Sequence, residues 1–181
     1  MRPERLAPPG GEADRARIAQ RFGIKPPISV SAAASSLVKQ LATYVTIYSP
    51  LQMAADLPEN YEVRLDAFQF IKDVEADWEQ SIALAGEVGQ YVAIARQGRA
   101  SKEWFLGAVT DENPRDLSLP LSFLEPGRKY RAQIYRDAAE AHWDTNPYAM
   151  VIEEKIVTSG ESFAVWLAAS GGVAVWFIPA E

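Results

Sequence analysis

The sequence predicts a mainly β fold, an antiparallel β-sandwich of about seven or eight strands preceded by two helices. Three observations predict it. After Trp78 the spacing of apolar residues changes from a helical period of 3.6 to a period of 2. The runs that follow are short and rich in β-branched and aromatic residues, with turn signals between them. Helical periodicity is confined to the stretch before Trp78, so no helices intervene between strands, which points to antiparallel pairing.

In chain order, residues 1–30 form a basic segment. Arg2, Arg5, Arg15, Arg17, Arg21 and Lys25 outnumber Glu4, Glu12 and Asp14, giving +3 here and −9 over the remainder of a chain of net charge −6. Pro3, Pro8, Pro9, Gly10, Gly11, Pro26 and Pro27 punctuate it, so a disordered basic tail is expected. Residues 31–75 form a helical segment. Leu37, Leu41, Tyr44, Tyr48, Leu51 and Ala55 recur at alternating spacings of four and three, which predicts an amphipathic helix from Ser31 to Ala55. Ser31, Ser35 or Ser36 supplies its cap, and Pro50 kinks or restarts it. Val38, Ala42, Val45 and Ile47 make the opposite side apolar too, so this helix needs neighbours on more than one side. The turn Leu57–Asn60 leads to a second helix over Arg64–Val74, with Leu65, Phe68 and Ile71 on one face.

Residues 76–181 are the β domain. Strands are expected at Tyr91–Ala95, Glu103–Val109, Leu117–Phe123, Tyr130–Tyr135, Val151–Val157, Phe163–Ala168 and Val173–Ile178. Gly98-Arg99, Glu112–Arg115, Glu125–Gly127, Ser159-Gly160 and Ser170–Gly172 are the turns, the last read as a plain hairpin turn. Asp137–Ala149 is the longest connection and is polar.

Composition narrows the chemistry. The chain has no cysteine, which excludes disulfides, thiolate metal sites and cysteine nucleophiles. An acidic body argues against nucleic acid and an anionic membrane surface as partners. No apolar run approaches the roughly 18 residues of a membrane helix, and the first residues lack the apolar stretch of a signal peptide. His142 is the single histidine, and no serine-nucleophile motif accompanies it, so it reads as a surface loop residue. Asp111/Glu112, Asp137/Glu140 and Glu153/Glu154 are carboxylate pairs of the kind used in glycosidic acid–base chemistry or Ca²⁺ binding. None has EF-hand spacing, and ordinary turn and strand roles explain them. Of five tryptophans, Trp104, Trp166 and Trp176 lie in strand patterns and read as core or interface. Trp143, in the polar loop with Tyr148 nearby, is the candidate ligand contact. No complete catalytic or metal-binding constellation emerges.

The motifs Gln40–Val45, Tyr48–Asp56 (Tyr-Ser-Pro-Leu-Gln-Met-Ala-Ala-Asp) and Glu59–Glu62 resemble the close of the catalytic barrel in glycoside hydrolase family 97. Phe70–Val74 and Trp78 resemble the connector that follows. Tyr91–Arg96, Trp104–Asp111, Leu121–Leu124 and Tyr130–Asp137 resemble the family's C-terminal β domain. The resemblance covers about residues 37–181. It implies that the two helices are what a (β/α)₈ barrel leaves at its end, and that the β domain serves oligomerisation. Full-length relatives hydrolyse α-glucosides or α-galactosides and are usually periplasmic or secreted. Their catalytic carboxylates and Ca²⁺ ligands lie upstream of everything matched, so no catalytic, cofactor or metal residue is carried over. The isolated chain is expected to be inactive, with the missing barrel, or a second copy held through the apolar helix, as its partner. The alternative is a stand-alone carbohydrate-binding or self-association module.

Overall fold

A computed structural model describes residues 34–53 and 61–180. The readings of the basic tail, of Ser31, and of Ala55 and the Leu57–Asn60 turn lie outside the described residues. Among the described residues, two helices and eight strands follow one another: α1 (Leu37–Thr46), α2 (Leu65–Asp73), β1 (Trp78–Glu87), β2 (Tyr91–Gly98), β3 (Trp104–Thr110), β4 (Arg115–Pro120), β5 (Lys129–Asp137), β6 (Met150–Thr158), β7 (Ser162–Leu167) and β8 (Gly172–Pro179). The sheets are unequal. A six-stranded sheet runs β1-β2-β3-β8-β5-β6, and β4 pairs with β7 in a two-stranded one. Every pairing is antiparallel.

The large sheet is covered on both faces, which explains why β3 reads as an unbroken apolar run rather than a clean alternation. Trp104, Leu106 and Ala108 of β3 and Val173, Val175 and Phe177 of β8 join Leu119, Phe163, Val165 and Leu167 of the small sheet in the main core. The alternate residues Phe105, Ala174, Tyr135 and Trp176 face the other way and pack with Leu41, Ala42, Val45, Ala67 and Phe70 of the helices. Phe105 is the hub of this second core. It stacks on Trp176 at 6.0 Å and meets Trp78 and Phe70 edge-on at 5.7 and 6.4 Å. The helices are thus a third layer laid on the sandwich.

Three expectations change. The strand β1 is absent from the sequence reading because Glu79, Gln80, Ala83, Leu84 and Glu87 are residues at home in helices. It forms at a sheet edge, where only Trp78 is buried and packing rather than propensity decides. The first helix ends at Thr46 rather than running to Ala55. A proline in a helix clashes with the carbonyl four residues earlier, which for Pro50 is that of Thr46, the last residue of the helix. Leu51–Met53 is irregular. Both helices also bury only part of the stripe read from spacing, together with residues outside it. α1 buries Val38, Leu41, Ala42 and Val45, and α2 buries Ala67 and Phe70. Of the stripes read from spacing, Leu41 is buried and Leu37 and Ile71 pack partly buried against this core, while Tyr48 and Leu65 are exposed.

Candidate docking surface

The seating of α1 follows from the floor beneath it. A side chain at Gly107 would place its Cβ 2.7 Å from the Ala42 carbonyl oxygen and 2.9 Å from Val45 Cβ. One at Gly172 would lie 2.8 Å from the Ala108 carbonyl oxygen and 2.9 Å from Lys39 Cα. The helix sits in a trough cut by missing side chains. A trough that shallow admits the valine and alanine side of α1 and rejects the tyrosine side.

The N-terminus of α1 is tied down by polar contacts. Ser36 caps the helix, its Oγ accepting from the Lys39 N–H at 3.1 Å. The Ser36 N–H donates to the Ser170 carbonyl at 3.0 Å, and the Leu37 N–H to that of Pro147 at 2.8 Å. Lys39 Nζ donates to the Thr110 carbonyl at 2.7 Å. Beneath this end lies Asp137, fully buried at the end of β5. Its Oδ2 accepts from the Ala168 and Gly172 N–H groups at 3.0 and 2.9 Å. Burial pushes the Asp137 carboxyl above the usual range, while the Ser36 hydroxyl, those two N–H groups and the Lys39 charge pull it back. Burial likewise lowers Lys39, opposed by Asp111, Asp137 and Glu112. Gly171 packs so closely on Asp137 that a Cβ there would overlap the carboxylate. The Ser170–Gly172 turn is therefore a built socket and not the hairpin turn expected, because it joins β7 of the small sheet to β8 of the large one. Ser36 and Lys39 have the Ser-x-x-Lys spacing of some nucleophilic enzymes. Ser36 is fully buried and spends its oxygen on the cap, so the pair is cap and anchor.

The other end of α1 is held by Arg96, a buried residue of β2. Its Nε donates to the Val45 carbonyl at 2.6 Å and its Nη1 to Ser81 Oγ at 2.8 Å. The guanidinium lies over the Tyr48 and Trp78 rings, 5.6 and 5.8 Å from their centroids. Among the described residues no carboxylate pairs with it, so the helix C-terminus and the aromatic faces take the place of a counter-charge. Beyond this cap the chain leaves the domain's surface apolar. Ile47, Tyr48, Leu51, Met53, Val63 and Leu65 form an exposed set, with Leu51 73% and Met53 76% accessible.

The residues singled out in the sequence divide as follows. His142 is exposed, and its Nδ1 accepts from the Asp144 and Thr145 N–H groups at 3.2 and 3.4 Å, closing its own turn. Trp143 is half-buried and stacks on the His142 ring at 5.8 Å, which covers one of its faces. The Tyr148 side chain is partly exposed, and its carbonyl accepts from Arg64 Nη1 at 3.2 Å. Asp111 accepts from the Asn113 N–H at 3.0 Å within a turn. Glu153 pairs with Arg136 at 3.1 Å and Glu154 with Arg131 at 2.7 Å. Asp137 and Glu140 are separated by environment, one fully buried and one exposed. Among the described residues no three such side chains form a metal-binding group. An open groove of about 480 Å³ lies between the β1–β2 turn and the end of β3, beside Lys39, Tyr91, Val109 and Asp111. Arg96 and the glycine trough carry no sequence motif. The one signal for them was a helix apolar on both sides.

The architecture is a two-sheet β domain with a helical layer on one face and exposed apolar side chains on the helical segment. Residues 77–178 match the family described as "Glycosyl-hydrolase 97 C-terminal, oligomerisation", and the chain belongs to it. The retaining alpha-galactosidase of Bacteroides thetaiotaomicron is 34% identical over 137 residues, which are 76% of this chain and 20% of that protein. A probable retaining alpha-galactosidase of Streptomyces bingchenggensis is 28% identical over 141 residues, 78% of this chain and 20% of that one. A glycoside hydrolase family 97 enzyme from Pseudoalteromonas sp. strain K8, solved with acarbose, superposes with a TM-score of 0.80 at 48% identity. That match covers 82% of this chain and 23% of that one. The chain thus spans about a fifth of the length of the curated relatives it matches.

Proposed function

We propose that this chain is the packing portion of a family 97 glycosidase acting on α-galactosides or α-glucosides, with its helical segment docked on a catalytic barrel. Residues 31–75 are then the end of the barrel and 76–181 the domain that steadies it. The observation that carries this reading is the set of exposed large apolar side chains on the helical segment, Ile47, Tyr48, Leu51, Met53, Val63 and Leu65. It sits on the segment that precedes the family-matched residues. Large apolar side chains left exposed together on one segment favour an interaction surface there over chance scatter. No residue here is assigned to catalysis, cofactor binding or a metal. The Ca²⁺ implied by the resemblance belongs to the barrel.

Purified chain mixed with an aryl α-galactoside or α-glucoside is expected to release no product beyond the uncatalysed background. Turnover abolished by a point change within the chain would overturn the reading. Trp143 and Tyr148 are the positions to probe for sugar. Titration with oligosaccharides is expected to leave tryptophan fluorescence unchanged, and a saturable change lost in Trp143→Ala would instead assign a carbohydrate-binding role.

A further inference from the structure

The two edges of the large sheet are built differently. At one edge, β1 pairs with β2 through two register shifts, at Trp78/Gln80 and Ala83/Ala85. Such irregularities twist an edge and keep other strands from adding to it. At the other edge, β6 pairs with β5 through nine successive residues without a shift, from Thr158 opposite Lys129 to Met150 opposite Asp137. It contains no proline or glycine, and it exposes Ile152 and Ile156. This edge has none of the backbone defences of its counterpart.

Its side chains are arranged about a centre. Reading Met150–Thr158 outward from Glu154, Glu153 mirrors Lys155, Ile152 mirrors Ile156, and Val151 mirrors Val157. Two copies of β6 lying antiparallel across a two-fold axis at Glu154 would bring these mirror positions opposite each other. Val151, Glu153, Lys155 and Val157 lie on the sandwich face with Tyr130, Ala132 and Ile134, and Met150, Ile152, Glu154 and Ile156 on the helical face. On the first face each Glu153 meets Lys155 of the second copy. On the other, each Ile152 meets Ile156. Only Glu154 meets its own kind, and Arg131 already pairs with it at 2.7 Å. Opposite residues in an antiparallel pair share hydrogen-bonding type, so the register moves by centring on a neighbouring residue. Centring on Glu153 sets Ile152 against Glu154 and Val151 against Lys155. Centring on Lys155 sets Glu154 against Ile156 and Glu153 against Val157. The Glu154 centre alone matches charge with opposite charge and apolar with apolar.

We infer that β6 is a self-complementary edge that joins two copies of this chain into one continuous twelve-stranded sheet, in the register centred on Glu154. The inference rests on the reading of the domain as a packing and association module, which is what selects a second copy as the occupant. It adds the surface and the register.

Light scattering on the purified chain at micromolar concentration is expected to show a dimer. Lys155→Glu places a glutamate opposite Glu153 at two symmetric positions and is expected to weaken the dimer roughly ten-fold or more. Adding Glu153→Lys to it restores opposite charges and the dimer. Mixing the two single variants favours the heterodimer. Lys155 is exposed and pairs with Glu153 of its own chain at 3.4 Å, a surface pair of small worth, so circular dichroism of Lys155→Glu is expected to match the parent. Glu153→Lys loses its pairings with Arg136 and with Lys155 of its own chain, so register is also tested without it. The chain has no cysteine, and oxidised Glu154→Cys is expected to cross-link to its own copy while Ile152→Cys is not. A monomer, a dimer indifferent to Lys155→Glu, or equal cross-linking of both cysteine variants would each overturn the inference. Glycoside turnover by the chain would overturn the non-catalytic reading instead and would leave these association readouts unchanged.

Discussion

Asp137→Ala is expected to lower the unfolding free energy by about 2–6 kcal/mol, because it strands two buried N–H groups at about 1–3 kcal/mol each. Those donors, on Ala168 and Gly172, reach Oδ2 at 3.0 and 2.9 Å. They hold the turn that in turn holds Ser36 and the start of α1. Asp137→Asn keeps an oxygen for both donors and is expected to cost less. The pair of variants also separates hydrogen bonding from charge. Burial raises the Asp137 carboxyl. Between the usual carboxylate value and the raised one, the folded chain holds the proton and the unfolded chain does not. The contribution of this group to stability therefore falls as pH rises through that window and is most favourable at its acid end. Urea unfolding across this range is expected to show that slope in the parent and a flatter one in Asp137→Asn. Identical slopes would remove Asp137 from the account.

Gly107→Val tests the trough under α1, and its sign is informative. Valine is a better strand residue than glycine, so propensity alone predicts stabilisation. Contact predicts the reverse, since even the first carbon of the new side chain would lie 2.7 Å from the Ala42 carbonyl oxygen. The expected result is destabilisation by about 3 kcal/mol, the upper part of the usual range for overpacking. Hydrogen exchange is expected to show lost protection in α1 ahead of the central strands. A neutral or stabilised variant would mean that the helix is not seated on the sheet in this way.

What was legible in the residues depended on how local the deciding interaction is. The strands β2, β3, β5, β6 and β8 were readable because their apolar and β-branched residues report burial directly. β4 begins two residues earlier than expected and ends at Pro120. β1 was not, because its Glu, Gln, Ala and Leu content suits a helix, and its strand state comes from its neighbour β2. The position of α1 was readable, but its orientation only in part. Leu41 is buried as its spacing suggests, but Tyr44 on the same stripe is not, because the surface awaiting the helix is floored by Gly107 and Gly172, more than sixty residues downstream. The candidate site was less legible still. Arg96, Asp137 and Lys39 act by meeting backbone groups distant in sequence, and such contacts leave no spacing to read.

The layer of helix on sheet has a bearing on inheritance. The stretch that marks this family, residues 77–178, leaves out both α1 and α2. Cut at that boundary, the sheet would present Phe105, Tyr135, Ala174 and Trp176 to water, with a glycine-lined furrow between them. A recombination event that moved only those residues would transplant a module with one bare side. The heritable piece is longer than its signature, and α1 has to travel with the strands it covers.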